Sequence, residues 1–288
     1  MGATGRLGGL VTRALLAEGR RVRILVRSGS DASALVDAGA IPMAGDLKDA
    51  NSLLRAAGGI DTVIATANSA RRGAGDNPQT VDLEGNARLI EASQEAGVRR
   101  YLFMSAIGAQ VDSIDPFMAA KAATEQRLIA SGLNYTIVAA TPFIDVWVGM
   151  VVLDPILERR EVVYSGDGNR RYSMVAMADV ASILVAVIDD PESSHRYVPI
   201  AGPSAFSWRD AVATFERALG RSIPMRGLPI GEPLPRLPDS AQGLMAFLAA
   251  NDLELDTSDT ARRLGVSLTS LDEWVHQALY PFRSTGRG

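Results

Sequence analysis

The 288-residue sequence has no cysteine and only two histidines, His195 and His276. Without cysteine there are no disulfides and no thiolate metal ligands, which fits a reducing compartment. Two histidines so far apart in sequence argue against an imidazole metal site, and no metal is expected. Basic runs are missing too. The 29 Lys and Arg stand against 33 Asp and Glu for a net charge of −4, which argues against direct nucleic-acid binding. Long apolar runs are also lacking: the most apolar stretch, 136–157, is interrupted by Pro142, Asp145, Asp154 and Pro155. With no secretory signal at the start, the expectation is a cytoplasmic protein without a membrane span.

A fourth absence is structural. The chain opens MGATGRLGGLV, in which Gly2, Gly5 and Gly8 form G-x-x-G-x-x-G. That spacing normally follows a buried strand and opens a helix whose backbone N–H groups cradle a phosphate. Here no strand precedes it. In a doubly wound sheet of order 3-2-1-4-5 the first strand is central, so its loss would leave a gap of about 9–10 Å between two unpaired ladders. The expectations are that the tip of another segment or a partner fills the slot, or that Met1 is an internal methionine preceded by an apolar strand in a longer natural protein.

Beyond the glycines the chain alternates regularly. Leu7, Leu10, Val11, Ala14 and Leu15 recur at helical spacing before Gly19, and RVRILV (21–26) is a strand. Short helices and strands then alternate through IDTVIATA (60–67), VRRYLFMSA (98–106) and NYTIVAA (134–140), reading as a parallel sheet covered on both faces. From Thr141 to Met174 the pattern is irregular, with VWVGMVVL either a strand or a buried helix. MADVASILVAVIDDP restores a helix for which Asp179 is a candidate N-cap, and Ser207 with Asp210 resembles a capping box. Five prolines between Pro224 and Pro238 mark a loop. The expected fold is α/β, a doubly wound parallel sheet over 1–140 extended by 175–200, with a smaller C-terminal α+β lobe from 141–174 and 201–288.

The strand after the glycine loop ends at Val26 and is followed by Arg27, about twenty residues on, where dinucleotide folds place the side chain that reads the ribose. An acid there would accept from the 2′-OH of NAD; a guanidinium suits the 2′-phosphate of NADP, so NADP is expected over NAD, the alternative being that Arg27 is a solvated residue at a strand end. Arg6 is either a further phosphate contact or a surface residue.

GATGRLG, GDLKD, GNARLIEASQEAGVRRYLFMSAIGA, KAATEQRLIASGLNYTIV and GPSAFSWRDAVATFERALG together resemble the NmrA-like, atypical short-chain dehydrogenase/reductase group. The resemblance implies an NAD(P)-binding Rossmann domain and a smaller substrate lobe, in a group divided between reductases and nucleotide-sensing regulators. By matching position, Gly2, Thr4, Gly5, Arg6, Leu7 and Gly8 would hold phosphate. Asp46 and Leu47 would lie near the adenine, Ala65, Thr66 and Ala67 along the adenosine ribose, and Ser105 with Lys121 near the nicotinamide half.

Two departures bear on chemistry. Short-chain dehydrogenases use Tyr-x-x-x-Lys, with both side chains on one helix face so that the lysine lowers the tyrosine pKa. Phe117 stands at the tyrosine position, four residues before Lys121. Phenylalanine donates no proton, which disfavours ordinary carbonyl chemistry. Lys121 is then a ribose ligand or an exposed helix lysine. The second departure is TIVAATPF, where Ala139 and Ala140 replace the Arg-Pro step frequent in reductases of this group, making the pocket more apolar. Phe143 and Trp147, with Phe117, are candidate walls for a flat substrate or plain core residues, and Asp145 is a candidate proton donor. His195 is expected at the surface and His276 packed beside Trp274.

The expectation is a reductase passing hydride from NADPH to a flat, electron-poor acceptor, quinone-like or conjugated, with Lys121, Ser105 and Asp145 as catalytic candidates. The alternative is a non-enzymatic NADP redox sensor with a protein partner; a third is an inactive family member. Monomer and homodimer are both compatible.

Overall fold

The computed structural model describes residues 1–70 and 75–283. Helix α1 (Arg6–Ala17) forms because Leu7, Val11 and Leu15, four residues apart, share one buried face. It stops where Gly19, at φ +73°, supplies the left-handed residue that an L side chain resists. Strand β1 (Arg23–Val26), α2 (Ser33–Val36), β2 (Ile41–Ala44), α3 (Ala50–Ala57), β3 (Thr62–Ala65), α4 (Glu84–Glu95), β4 (Arg100–Ala106), α5 (Pro116–Ala130) and β5 (Tyr135–Ala140) follow in strict alternation. A π-helical turn, Pro78–Leu83, precedes α4. Strands β6 (Val162–Ser165), β7 (Arg196–Ile200) and β8 (Met225–Leu228) complete the set.

All the strand pairs are parallel. β1 pairs with β2, and a second ladder runs β3-β4-β5-β7. The order is that of a doubly wound sheet with a helix in each crossover. Among the described residues no strand comes before α1. Instead Met1 sits against β3: its amino group donates to the Ile64 carbonyl at 2.9 Å, and its own carbonyl accepts from Thr66 N at 3.2 Å. One residue ahead of the glycine loop thus makes two ladder-like contacts with β3.

The contacts divide the chain into two units. The first comprises 1–140, 177–200 and 260–266; the second comprises 141–176, 201–259 and 267–288. In the first, Leu53, Val81, Tyr101, Phe103 and Leu128 form the centre of the core on one side of the sheet. In the second, Trp208, Tyr172 and Phe215 centre a separate core beside the parallel pair β6–β8.

VWVGMVVL takes the helical of its two readings, running through Ile144–Val148 into a π-helical stretch Gly149–Leu153. Two other local readings need correction. Asp179 lies inside the first turn of the helix Met177–Asp189 rather than capping it. The proline-rich segment contains β8, because Pro224 and Pro229 flank it and leave its N–H groups intact. The capping box at Ser207 and Asp210 is present, the hydroxyl accepting from Asp210 N at 3.1 Å and the carboxylate from Ser207 N at 2.9 Å. Among the described residues no helix is long and apolar enough to cross a membrane.

Candidate nucleotide site

The glycine loop is packed so tightly that it excludes side chains. A Cβ on Gly8 would lie 2.1 Å from the Gly2 carbonyl oxygen, and one on Gly2, already at φ +85°, would lie 2.7 Å from both Ala67 N and Thr66 Oγ1. The Gly2 carbonyl accepts from Gly5 N at 3.0 Å, closing the turn. The start of α1 is thereby drawn against the carboxyl end of β3. Gly5 at the N-cap carries no side-chain acceptor for the first-turn N–H groups. Such a helix start, pressed close and uncapped, is a receptor for an anion, and a dinucleotide pyrophosphate fits it. Thr4 and Arg6 are exposed at its mouth, while Leu7 is turned into the core.

The carboxyl ends of β1 and β2 lie level, since Val26 pairs with Ala44. Arg27 leaves the first and Asp46 the second. The Asp46 carboxylate accepts from Lys48 N at 2.9 Å, an Asx turn that orients the residues after β2. Leu47 is 1% exposed, so its side chain belongs to the core and only its backbone borders the edge. Ala65 and Ala67 are buried and Thr66 half-buried beside Gly2. Arg27 Nη1 donates to Asp76 Oδ2 at 3.1 Å, and Lys48 Nζ to Asp76 Oδ1 at 2.6 Å. Neither Lys48 nor Asp76 stood out in the sequence; the basic residue two positions after Asp46 was the available signal.

Helix α5 carries the other half. Asp115 caps it, accepting from Phe117 N and Met118 N, and Pro116 takes the first turn, where no N–H is needed. Lys121 is buried, which overturns the exposed-lysine alternative. Its Nζ donates to the Met104 carbonyl at 2.9 Å, lies 3.9 Å from Asp82 Oδ1 and sits 4.8 Å and 5.3 Å from the Phe103 and Phe117 ring centroids. Burial pushes its pKa down, against the pull of Asp82 and Glu125. Asp82, from the π-helical turn, also accepts from Ser69 N at 3.0 Å, tying the lysine to the segment after β3. Ser105, buried at the carboxyl end of β4, is hydrogen-bonded to Glu125, one turn beyond Lys121 on α5. Burial raises the Glu125 pKa, partly offset by Ser105 and Lys121. The sequence reading missed Glu125, although its four-residue spacing from Lys121 places both on one helix face.

The remaining candidates belong to the second unit or to the surface. Trp147 is 8% exposed and part of the second unit's core. That is the packing role, and it leaves the indole little surface for a ligand. Phe143 and Asp145 are half-buried, with Phe143 bridged to Val175. His195 is exposed at φ +53° with its ring edge-on to Tyr135. His276 is exposed, correcting the expectation that it packs: Trp274 and Val275 turn inward and the next residue on the helix faces out.

A parallel doubly wound sheet with a side-chain-free cradle at its carboxyl edge defines a dinucleotide-binding α/β protein of the Rossmann kind. The chain belongs to the NAD(P)H-binding family, whose sequence pattern matches residues 2–191. It is 32% identical over 230 residues, covering 80% of this chain and 71% of the relative, to the photosystem II assembly factor Ycf39 of Cyanophora paradoxa. Among solved structures it superposes on triphenylmethane reductase of Citrobacter sp. with a TM-score of 0.82 at 22% identity, covering 97% of this chain and 98% of that one. The NADPH-dependent quinone oxidoreductase QOR2 of Escherichia coli gives a TM-score of 0.76 at 21% identity, covering 96% and 97%. These likenesses show that the chain shares its fold with both of those reductases.

Proposed function

We propose that this protein is an NADPH-dependent reductase of flat, electron-poor acceptors such as quinones or conjugated dyes. The observation that carries the reading is the cradle: Gly2 and Gly8 leave room only for hydrogen, and Arg27 stands at the next strand end. In this reading Gly2, Thr4, Gly5, Arg6, Leu7 and Gly8 surround the pyrophosphate, Arg27 meets the 2′-phosphate, and Asp46, Leu47, Ala65, Thr66 and Ala67 border the adenosine. Ser105 and Lys121 face the nicotinamide half. Bound there, the cofactor supplies a hydride.

The protein's own part is positioning. Lys121, anchored on the Met104 carbonyl, holds a cation beneath the aromatic face of Phe117. Phe117 provides apolar surface where a tyrosine would provide a proton. A conjugated acceptor that takes hydride onto its ring system depends on alignment more than on a dedicated acid, and so suits a site with that tyrosine missing. Phe143 and Asp145 are the candidate acceptor wall and proton donor. The likeness to a triphenylmethane reductase and a quinone oxidoreductase supports the acceptor class.

Two observations favour a second reading, a regulator that binds the nucleotide without turning it over: Phe117 removes the usual acid, and the Cyanophora relative is an assembly factor. Following nicotinamide absorbance with NADPH and a panel of quinones and triphenylmethane dyes separates the two. Turnover on any member supports the reductase. Tight, redox-selective binding of NADP⁺ or NADPH without turnover supports the regulator, and absence of nucleotide binding removes both.

A further inference from the structure

We infer that Lys48 and Asp76 complete the anion site at the end of β1: Lys48 is a second ligand for the adenosine 2′-phosphate, and Asp76 is the positioning residue that holds Lys48 beside Arg27. The inference rests on the NADPH reading and adds two residues to it.

Three separate segments converge here. Arg27 follows β1, Lys48 follows β2, and Asp76 precedes Asn77, the residue that caps the π-helical turn. The two oxygens of one carboxylate each take a different cation, Oδ2 from Arg27 and Oδ1 from Lys48. Exposure divides them sharply. The Asp76 side chain is 3% exposed, whereas those of Arg27 and Lys48 are 37% and 46% exposed. The anion is therefore inside and the cations outside.

That arrangement has a physical logic. Two side-chain cations repel and, left to themselves, would spread into solvent with high rotamer entropy. A buried carboxylate between them gathers both and offsets its own desolvation by doing so. A guanidinium has five donors and an ammonium three, and the bonds described to Asp76 use one of each. Both cations carry further donors, and a phosphomonoester dianion accepts several charge-assisted bonds. The Asx turn at Asp46 fixes the Lys48 backbone, so the clamp is built before any ligand arrives. The geometry thus makes 2′-phosphate selectivity the work of three residues.

Calorimetry on the full chain tests this with 2′,5′-ADP and 5′-AMP, which differ only by the 2′-phosphate. The wild type is expected to prefer 2′,5′-ADP by more than about tenfold, the scale of one charge-assisted bond. Lys48→Met should lose about tenfold in 2′,5′-ADP affinity with 5′-AMP unchanged, and Lys48→Arg should recover most of it. Asp76→Asn should weaken 2′,5′-ADP in the same selective way. An unchanged preference in Lys48→Met overturns the role of Lys48. Tighter 2′,5′-ADP binding in Asp76→Asn overturns that of Asp76, showing a competitor of the phosphate instead. Because Lys48 is a surface side chain, its variants keep the test open even if Asp76→Asn fails to fold. Failure of the NADPH reading looks different: a wild type that binds neither nucleotide, or both equally, removes that reading and this inference together.

Discussion

Lys121 Nζ lies 3.9 Å from Asp82 Oδ1, with both side chains closed to solvent, at 4% and 0% exposure. The pair joins α5 to the π-helical turn before α4, and through the Asp82 bond from Ser69 N it reaches the segment after β3. A buried cation held this way, with the Met104 carbonyl as a further acceptor, is a fixed part of the architecture beneath the site.

Removing one member should therefore cost more than removing both. Lys121→Met is expected to destabilise by about 3 kcal/mol, because the Asp82 charge loses its buried counterpart. The double variant Lys121→Met/Asp82→Asn should recover a substantial part of that loss. Urea denaturation of the two single variants and the double gives the coupling energy directly. Strict additivity would show that the two charges do not interact.

Glu125 should give stability a pH dependence of defined sign. Burial raises its folded-state pKa above the ordinary carboxylate value, so the native state favours the protonated form. Its contribution is full below the unfolded pKa, about 4.3, and is lost as pH rises through the folded value. Glu125→Gln, which retains a hydrogen-bonding partner for Ser105, should become more stable relative to the wild type as pH rises from about 4 towards 7. Parallel urea titrations across that range check it; a constant difference would contradict the raised pKa.

The glycine cradle should tolerate no methyl group. Gly8→Ala places its Cβ 2.1 Å from the Gly2 carbonyl oxygen, and the overpacking is expected to cost about 3 kcal/mol and abolish nucleotide binding. Gly149 is the control, a helical glycine with nothing within 4 Å of the point where a Cβ would stand. Gly149→Ala should be neutral or stabilising by up to about 1 kcal/mol. Thermal melts and calorimetry with NADP⁺ compare the two.

Phe117→Tyr restores the i, i+4 Tyr–Lys pair on α5, with Lys121 Nζ already 5.3 Å from the ring centroid. General-acid help from such a tyrosine is worth about 10²–10⁴-fold. Carbonyl reduction with NADPH should rise by at least about tenfold, while hydride transfer to acceptors that need no concerted proton should change little. Steady-state rates on one acceptor of each kind decide it. An equal change on both would remove proton supply as the explanation.

The sequence by itself determined the alternation of helices and strands up to residue 140, the parallel pattern, the glycine loop and several helix ends. Those features are local: Leu7, Val11 and Leu15 share a face because of the helix period, Gly19 ends α1 because only glycine is at ease at φ +73°, and Ser207 and Asp210 cap within one turn. Only the tertiary structure decided which charges meet. Asp76 lies 49 residues from Arg27 and 28 from Lys48, and Glu125 lies 20 from Ser105. No periodicity encodes such partners, because they depend on where crossovers return the chain to the sheet edge. Burial of Lys121 was undecided for the same reason. A lysine in a helix reads as solvent-facing until the packing of α5 against β4 and the π-helical turn surrounds it with Met104, Phe103 and Asp82.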